Sequence, residues 1–213
     1  MIYKKHIHKE EVCDKPKIIQ YHDIFSSDEC DSIINTVENE GLEDSEVIDP
    51  VSGKVKKDKH RTSSQWFDSG NQFNFIIPRI SELTNHPIEN IESVQVLKYQ
   101  EGQEYKNHCD FFNYKHKGIN NTDNDRIATA IIYLNDDYSG GETNFPKLGR
   151  KTKGYKGSVV YFQYNYSPRI NMKTLHAGMP VEDGVKYVAV TWIRQRGYYS
   201  NPNDKIESIG ETT

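Results

Sequence analysis

The chain has 213 residues, of which 35% are hydrophobic and 27% are charged, and its formal net charge at pH 7 is −4. With a mean hydropathy of −0.82 and an isoelectric point near 6.1, it lacks the overall basic charge of nucleic-acid-binding proteins. The sequence contains no apolar stretch long enough to cross a membrane, no apolar secretory signal at its start, and only three cysteines, too few for a disulfide scaffold.

The first half of the chain contains two segments with helical periodicity. A helix is predicted to begin within Ser26–Asp28, which supplies candidate capping side chains, and to end at Gly41 after apolar residues at helical spacing. The next segment, 43–61, is charged and contains turn-forming residues, which predicts an exposed hairpin. A second helix is predicted over 71–84, with Pro78 at its start or at a kink.

After Pro87 the pattern changes from helical spacing to short runs of β-branched and aromatic residues. Glycine, asparagine, aspartate or proline separates these runs, as expected for strands joined by turns. The predicted strands cover residues 94–99, 127–134, 158–162, 174–177 and 186–193. Helices followed by short strands predict an α+β fold, an antiparallel jelly-roll barrel with helices packed on one side.

One of the eight histidines begins an H-x-D motif, formed by His108, Cys109 and Asp110. Alternate residues of a strand share a face, so the imidazole and the carboxylate are expected to converge on one ion while Cys109 faces away. About half an H-x-D is expected by chance in this composition, so a surface histidine beside an aspartate is the simpler interpretation of the motif alone. His176, late in the β-rich half, completes two histidines and one carboxylate, the ligand set of non-haem Fe(II) oxygenases.

A lysine inside a predicted strand offers a counter-charge for an anionic co-substrate. Two neutral imidazoles and one carboxylate leave a bound Fe(II) site with a net charge of about +1, which favours an anionic chelating molecule. Lys186 lies on the strand predicted after His176, where its ammonium group is able to bind the far end of such a molecule. The alternative is a lysine at a sheet edge whose ammonium group reaches water.

Several motifs follow one another in order from Arg61 onward. They are Arg61-Thr62-Ser63-Ser64, YQEGQEYKNHCD at 99–110, RIATAIIYLN at 126–135, GGETNFP at 140–146, GSVVYF at 157–162, His176-Ala177-Gly178 and KYVAVTW at 186–192. With these motifs the sequence resembles the prolyl 4-hydroxylases of the 2-oxoglutarate/Fe(II) dioxygenase superfamily, in their small viral, algal or bacterial form. The resemblance extends from about Asp23 to Arg196 and implies a double-stranded β-helix, a cupin-like jelly roll, with supporting N-terminal helices.

The resemblance implies a role for each matching position. The expected Fe(II) ligands are His108, Asp110 and His176, which together with Lys186 are the predicted catalytic residues. The expected contacts of the C5 carboxylate of 2-oxoglutarate are Lys186, Tyr99 and Thr143. The expected lining of the groove for the substrate peptide is Arg61, Ser63, Glu92, Tyr105, Arg126 and Trp192.

The activity implied by the resemblance is that of a procollagen-proline 4-dioxygenase. C4 of a peptidyl proline is hydroxylated while 2-oxoglutarate is oxidatively decarboxylated to succinate and CO2, with Fe(II), O2 and ascorbate required. The expected substrate is a proline-rich or collagen-like peptide, because a polyproline II strand suits an aromatic groove with polar donors. The charged segment 43–61 is either a lid over the peptide or a solvated hairpin.

The expected organisation is one catalytic domain over 23–196, with an N-terminal arm or first strand at 1–22 and a polar tail at 197–213. A soluble monomer without a membrane segment or a nucleic-acid partner is expected, in the cytoplasm or, for a viral protein, in a host-cell compartment. The sequence departs from the family pattern at Thr191 and Arg194, where lysine and histidine are frequent. These departures leave the fine substrate preference open.

Other functions remain open for the same residues. A 2-oxoglutarate/Fe(II) dioxygenase of a different protein or of a small molecule would keep the metal site. Nucleic-acid demethylases and oxygen-sensing hydroxylases of the superfamily resemble each other in using arginine at the position of Lys186, which argues against both. A cupin-type metalloenzyme without 2-oxoglutarate would lack this cation, and a non-catalytic barrel would be expected to have an incomplete triad.

Overall fold

The computed structural model describes residues 7–45, 47–48, 55–56, 60–111 and 125–197. The helices of these residues are α1 (Ser27–Glu40), α2 (Ile76–Thr84) and α3 (Pro168–Asn171), with short 3-10 helices at Ile88–Asn90 and Met172–Thr174. The strands are β1 (Lys9–Cys13), β2 (Ile18–Tyr21), β3 (Glu43–Asp44), β4 (Val47–Ile48), β5 (Val55–Lys56), β6 (Ser64–Phe67), β7 (Gln95–Tyr99), β8 (Tyr105–His108), β9 (Arg126–Tyr133), β10 (Ser139–Gly140), β11 (Thr143–Phe145), β12 (Arg150–Thr152), β13 (Val159–Gln163), β14 (His176–Gly178), β15 (Val181–Asp183) and β16 (Lys186–Arg194).

Most of these strands form two facing antiparallel sheets. The larger sheet has the order β1-β2-β13-β9-β16-β7-β6-β3, and the smaller sheet has the order β12-β11-β14-β8. The pairs β10–β15 and β4–β5 stand beside them. Strands that are distant in sequence lie next to each other in both sheets, as in a jelly roll. The architecture confirms the predicted α+β fold with a double-stranded β-helix.

The two faces of the larger sheet belong to two separate apolar cores. On β7, Val96 packs in a buried cluster with Ile33 of α1 and Ile80 of α2. The neighbouring Leu97 belongs to a second cluster, which includes Phe145 of the smaller sheet. Because side chains alternate along a strand, one face meets the helices and the other faces the smaller sheet. The candidate site lies on this second, inner face.

Helix α1 begins where the sequence predicts because Ser26 and Glu29 form a capping box. The Ser26 hydroxyl accepts a hydrogen bond from the Glu29 backbone N–H at 3.2 Å, and the Glu29 carboxylate accepts one from the Ser26 N–H at 2.8 Å. The helix ends before Gly41, whose φ of +91° is a conformation that favours glycine. Its buried face, which includes Ile33 and Val37, packs against the outer face of the larger sheet.

Helix α2 is shorter at its start than the predicted 71–84, because the chain before it forms turns around Asp68. The Asp68 carboxylate accepts hydrogen bonds from the backbone N–H groups of Gln72 and Phe73, at 2.6 and 3.0 Å, which hold these residues outside the helix. Pro78 is the third residue of α2, and the first turn tolerates proline because its N–H groups have no partner within the helix.

The strand predicted at 174–177 also begins later than expected. The Thr174 hydroxyl donates to the carbonyl oxygen of Asn171 at 2.7 Å, which closes a 3-10 turn ending at Thr174. Strand β14 therefore begins only at His176, the residue that the sequence singles out as a metal ligand.

The N-terminal segment and the charged segment both contribute strands. Within 1–22, β1 and β2 pair with each other, and β2 also pairs with β13 in the larger sheet. Within 43–61, β4 and β5 form an antiparallel pair and β3 pairs with β6. Many remaining positions of that segment, and the tail from 198, lie outside the described residues, so the lid stays a prediction.

Among the described residues, none of the helices combines the length and the apolar character that a membrane span requires.

Gly157 is a position that cannot accommodate a side chain. Its φ of +80° favours glycine, and a Cβ atom there would collide with the carbonyl oxygen of Phe25. The substitution Gly157→Ala is expected to lower the free energy of unfolding by about 3 kcal/mol or more, as measured by urea denaturation, because backbone strain and overpacking combine.

Gly149→Ala is the matched control for this substitution. Gly149 has a φ of +59°, but a Cβ atom there has nothing within 4 Å. Backbone strain alone is expected to cost about 1 kcal/mol. Equal losses of stability in the two variants would contradict the steric explanation.

Candidate active site

Two of the predicted metal ligands lie directly opposite each other on neighbouring strands of the smaller sheet. His108 ends β8, His176 begins β14, and the two residues are register partners. Their imidazole ring centroids are 4.2 Å apart. Antiparallel pairing therefore brings together two histidines that are far apart in the sequence.

Hydrogen bonds fix both imidazoles in the same tautomer. Nδ1 of His108 lies 2.8 Å from the carbonyl oxygen of Lys106, and Nδ1 of His176 lies 2.9 Å from that of Thr174. A carbonyl oxygen only accepts, so each Nδ1 carries the proton and donates it. In a neutral imidazole this tautomer leaves the lone pair on Nε2, which is the arrangement found in metal-binding histidines.

Asp110 completes the cluster, although not by the strand alternation that the sequence predicts. The pairing of β8 with β14 ends at His108, and Asp110 lies in a bend after it, so the expectation that the H-x-D motif occupies one strand face is wrong. Its Oδ1 lies 3.4 Å from Nε2 of His108, and its Oδ2 lies 3.7 Å from Nε2 of His176. One ligand atom from each residue lies within 4.8 Å of the others.

The larger sheet holds the carboxylate of Asp110 in place. Thr129 of β9 donates its hydroxyl hydrogen to Oδ2 of Asp110 at 2.7 Å. Because this hydroxyl has one hydrogen, Tyr164 must donate the 3.0 Å hydrogen bond that joins the two hydroxyls. Neither residue is identified from the sequence. The only sequence signal for Thr129 is a polar residue within an otherwise apolar strand.

The protonation states of the cluster suit a divalent metal. Burial, which includes contacts with Phe145 and Phe162, lowers the pKa of His176 to about 4, so its imidazole is neutral at pH 7. Burial alone would raise the pKa of Asp110, but the Thr129 hydroxyl and the positive charge that either imidazole carries when protonated outweigh it and hold this pKa well below its ordinary range. Two imidazole nitrogens and an ionised carboxylate form a donor set that binds divalent iron.

Cys109 does not join this donor set. Burial raises the pKa of its thiol to about 11, so the thiolate that would bind a metal is not formed at neutral pH. The residue thus remains a spacer between two predicted ligands.

Lys186 is buried between the two sheets, with 4% of its surface exposed, and does not lie at a sheet edge. Its ammonium group lies 5.3 Å from the ring centre of Tyr99 and 5.4 Å from that of Tyr133. It donates a hydrogen bond to the carbonyl oxygen of Gly141 at 2.6 Å, and no salt bridge of Lys186 occurs in the described part of the chain. Burial lowers its pKa to about 8, against the opposing charge of Glu142. A cation in such surroundings favours an anionic ligand.

Hydroxyl groups lie near this ammonium group. Thr143 of the smaller sheet is buried, and its Oγ1 lies 2.7 Å from the hydroxyl oxygen of Tyr133. Tyr99 presents its ring to Lys186, whereas its hydroxyl hydrogen-bonds to Arg61 and Ser63. The structure therefore brings together the three residues predicted to contact the C5 carboxylate. It adds Tyr133, for which the only sequence signal is a tyrosine at the end of an apolar predicted strand.

Three of the predicted groove residues form one cluster on the larger sheet. Arg126 donates two hydrogen bonds of 2.7 Å to the carboxylate of Glu92, and its guanidinium carbon lies 3.8 Å from the ring centre of Trp192. Arg194 donates to the same carboxylate at 2.5 Å. Burial opposes ionisation of Glu92, but the two arginines outweigh it and lower its pKa. The indole N–H of Trp192 is buried and has no hydrogen-bond partner among the described residues.

The other three predicted groove residues form a second cluster beside the metal ligands. The ring of Tyr105 stacks on the imidazole of His108, with centroids 3.5 Å apart. The guanidinium carbon of Arg61 lies 5.1 Å from the ring centre of Tyr105. Arg61 is buried and donates to the amide oxygen of Gln95 at 3.0 Å and to the hydroxyl of Ser63 at 3.4 Å. The predicted groove residues thus reach the candidate metal site directly.

Comparisons with known sequences agree with this site. A family model described as the 2OG-Fe(II) oxygenase superfamily matches residues 94–194. Prolyl 4-hydroxylase subunit alpha-1 of Rattus norvegicus is 34% identical over 200 residues, which cover 89% of this chain and 36% of that protein. Prolyl 4-hydroxylase 1 of Arabidopsis thaliana is 32% identical over 212 residues, which cover 88% of this chain and 72% of that protein. The chain thus spans about a third of the animal subunits that it matches.

Solved structures share the architecture. The viral collagen prolyl hydroxylase of Paramecium Bursaria Chlorella virus-1, determined with 2-oxoglutarate, superposes with a TM-score of 0.66 at 30% identity and covers 86% of this chain and 98% of that chain. A prolyl-4-hydroxylase of Pseudomonas putida gives a TM-score of 0.62 at 17% identity over 84% of this chain and 92% of that chain, which supports the fold alone. The resemblance inferred from the sequence motifs is confirmed.

The hydroxyl of Thr129 is expected to contribute to metal affinity through Asp110. The substitution Thr129→Val keeps the shape of the side chain and removes the donor. Affinity for Mn(II), measured by calorimetric titration, is expected to fall about 10–100-fold, because hydrogen bonds to metal ligands typically contribute this much.

Thr191→Val is the matched control. Thr191 is equally buried on the adjacent strand, but its hydroxyl donates to the backbone carbonyl of Glu92 at 2.7 Å. This variant is expected to bind Mn(II) normally. An unchanged affinity in Thr129→Val, or an equal loss in the control, would disprove the role of Thr129.

Proposed function

The chain belongs to the prolyl 4-hydroxylase family of 2-oxoglutarate- and Fe(II)-dependent oxygenases, and on this basis we propose that it hydroxylates C4 of peptidyl proline. In the proposed reaction, one atom of O2 enters proline as the hydroxyl oxygen and the other enters succinate, while 2-oxoglutarate loses CO2. Ascorbate is proposed as the reductant that keeps the iron in the Fe(II) state. A proline-rich or collagen-like protein is the proposed substrate.

The observation that carries this proposal is the coexistence of two features on the inner faces of the sheets. One is the cluster of His108, Asp110 and His176, whose three ligand atoms lie within 4.8 Å of one another. The other is the buried ammonium group of Lys186. A metal site alone fits many hydrolases and oxygenases, but a metal site with an internal cation suits a metal-chelating dicarboxylate.

The protein residues are proposed to orient the metal rather than to react themselves. Bound Fe(II) supplies the redox chemistry with O2. Nε2 of His108, Nε2 of His176 and the carboxylate of Asp110 would hold it. The Nδ1 hydrogen bonds and the hydroxyl of Thr129 keep these ligands oriented before the metal binds, so that little reorganisation is needed. The ring of Phe162 packs against His176 and limits access of water from that side.

Lys186 is proposed to bind the C5 carboxylate of 2-oxoglutarate. Its pKa of about 8 leaves the ammonium group mostly charged at pH 7. Because folding has already removed this group from water, binding of the anion requires little further desolvation of the lysine. Thr143 offers a hydroxyl to the same carboxylate, while Tyr99 supports the ammonium group with its ring.

The peptide is proposed to contact the cluster that contains Arg126 and the cluster that contains Arg61. A polyproline II strand presents proline rings and carbonyl groups that lack neighbouring N–H donors. The aromatic rings of Tyr105 and Trp192 are suited to pack against the proline rings. The guanidinium groups of Arg61 and Arg126 are suited to donate to the carbonyl groups. The buried indole N–H of Trp192 is a further donor for a substrate carbonyl. Because Glu92 holds Arg126 in place, less side-chain freedom is lost when the peptide binds.

Peptide-dependent turnover tests the proposal. Protein supplied with Fe(II), ascorbate and 2-oxoglutarate is expected to release succinate faster when poly-proline or a Pro-Pro-Gly repeat is added, and the peptide is expected to gain 4-hydroxyproline by mass spectrometry. His108→Ala is expected to abolish both signals. Lys186→Ala is expected to raise the KM for 2-oxoglutarate about tenfold or more, because a charge-assisted contact is lost.

Lys151→Ala is the matched control, since Lys151 is an exposed lysine on the strand β12. It is expected to keep the KM of the wild-type protein. Succinate release that no proline peptide stimulates would contradict the proposed substrate class. Full activity of His108→Ala would contradict the proposed metal site.

The affinity for 2-oxoglutarate is expected to fall as the pH rises above about 8. The carboxylate binds the protonated ammonium group of Lys186, whose pKa in the free protein is lowered to about 8 by burial. Below this pH the group is already protonated and the affinity is constant. Above it, each further pH unit is expected to weaken binding about tenfold, measured as Kd for 2-oxoglutarate from about pH 6 to about pH 10.

Lys186→Arg separates this titration from other pH effects. A guanidinium group stays protonated throughout the range, so the decline in affinity above pH 8 is expected to disappear. If wild-type affinity proved independent of pH, or if Lys186→Arg showed the same decline, Lys186 would not be the titrating group.

A further inference from the structure

Tyr138 carries a buried hydroxyl group that nothing in the described part of the chain satisfies. Its oxygen is inaccessible to solvent and has no hydrogen-bond partner, a property it shares among the described residues only with the indole nitrogen of Trp192. A buried polar group without a partner typically costs about 1–3 kcal/mol, so such groups are uncommon in folded proteins. In a protein that binds ligands, an orphaned donor at a cavity is a candidate ligand contact.

The tyrosine lies beside the side chain of Lys186. A Cβ atom on Gly141 would lie 3.1 Å from Cδ of Lys186 and 3.1 Å from Cε2 of Tyr138, so the lysine stem and the tyrosine ring are neighbours across this glycine. The carbonyl oxygen of the same glycine accepts the hydrogen bond from the lysine. The φ of +65° at Gly141 permits this approach, which any side chain would obstruct.

The ring of Tyr138 also belongs to the inner core. It packs against the apolar cluster that contains Tyr99 and Tyr133, whose rings lie beside the lysine ammonium group. At its other end, a Cβ atom on Gly184 would lie 3.3 Å from Cα and Cβ of Tyr138, so the backbone of Tyr138 lies next to the residues that precede β16. The side chain therefore extends from the residues before β16 toward the side chain of Lys186.

We propose that Tyr138 is a further binding residue for the co-substrate, donating its hydroxyl hydrogen to the C5 carboxylate that Lys186 binds. This inference rests on the proposed function, since it assigns a contact of the same dicarboxylate. A carboxylate has acceptor sites for several donors, so the lysine and the tyrosine do not compete for it. Ligand binding would also satisfy the buried hydroxyl that the free protein leaves without a partner.

The hydroxyl is suited to donate at any physiological pH. Burial raises the pKa of Tyr138 well above its ordinary value, with the nearby Tyr133, Asp136 and Glu142 adding to the shift. The group therefore keeps its hydrogen and does not become a phenolate that would repel a carboxylate. Hydrogen bonds to charged acceptors are stronger than those between neutral groups.

The substitution Tyr138→Phe tests the inference because it removes only the hydroxyl. Binding is measured calorimetrically on Mn(II)-loaded protein, with 2-oxoglutarate and with oxalate, a chelator that has no distal carboxylate. We expect the Kd for 2-oxoglutarate to rise about tenfold or more and the Kd for oxalate to stay unchanged. The melting temperature without ligand is expected to stay equal or to rise, because an unsatisfied polar group is removed.

Tyr155→Phe is the matched control, since Tyr155 is 49% exposed, and it is expected to leave both affinities unchanged. An unaltered Kd for 2-oxoglutarate in Tyr138→Phe would overturn the inference. So would an equal loss of oxalate binding or a lower melting temperature, which would indicate a structural role. If Lys186→Ala weakened 2-oxoglutarate binding while Tyr138→Phe did not, only this inference would fail. If the wild-type protein bound no 2-oxoglutarate, the proposed function itself would fail.

Discussion

The hydrogen bond from Thr129 to Asp110 joins the two sheets at the point where the predicted metal ligands meet. The two histidines are fixed within the smaller sheet by the register of β8 and β14, whereas Asp110 leaves its strand and has no ladder to hold it. A buried carboxylate is costly unless donors surround it. Thr129, supported by Tyr164, supplies such a donor from the larger sheet. The packing of the two sheets against each other therefore decides whether the three ligands face one ion.

The two buried charges of the inner face are stabilised in different ways, and the difference defines the site. Asp110 receives a hydrogen bond from a hydroxyl of the chain and keeps a low pKa. Lys186 has a carbonyl oxygen and aromatic rings around it, which compensate its charge only in part, and its pKa falls to about 8. An anion stabilised by donors of the chain and a cation compensated only in part fit the proposed binding of a metal at one place and an anion at the other. Incomplete compensation of a buried charge reduces stability, which is a common property of functional sites.

The sequence predicts most of the helices and strands and singles out the ligand candidates, but it does not predict the contacts that cross between the sheets. Helix α1 follows from its capping residues, and β7 follows from a run of strand-forming residues, because both signals are local. The histidines are singled out by the H-x-D motif and the family resemblance, whereas their pairing is visible only in the strand register. Asp110 reaches them through a bend that strand periodicity does not describe. Thr129, Tyr133 and Tyr164 are recognisable only once the inner face is known. The early start predicted for α2 fails for a similar reason, since the carboxylate of Asp68 competes with the helix for backbone N–H groups.

The two departures from the family pattern converge on one residue, Glu92. Thr191 donates its hydroxyl hydrogen to the backbone carbonyl of Glu92, and Arg194 donates to its carboxylate. The backbone N–H of Glu92 donates to the carbonyl oxygen of Trp192 at 2.8 Å, so the residue is held on three sides. Its carboxylate in turn orients Arg126 over the indole ring. A change at either position therefore reaches the proposed peptide groove through Glu92, while the metal ligands, which lie on the smaller sheet and its continuation, keep their own supports. Changes at these two positions therefore act on the proposed groove around Glu92, while the hydrogen bonds that hold His108, Asp110 and His176 involve other residues.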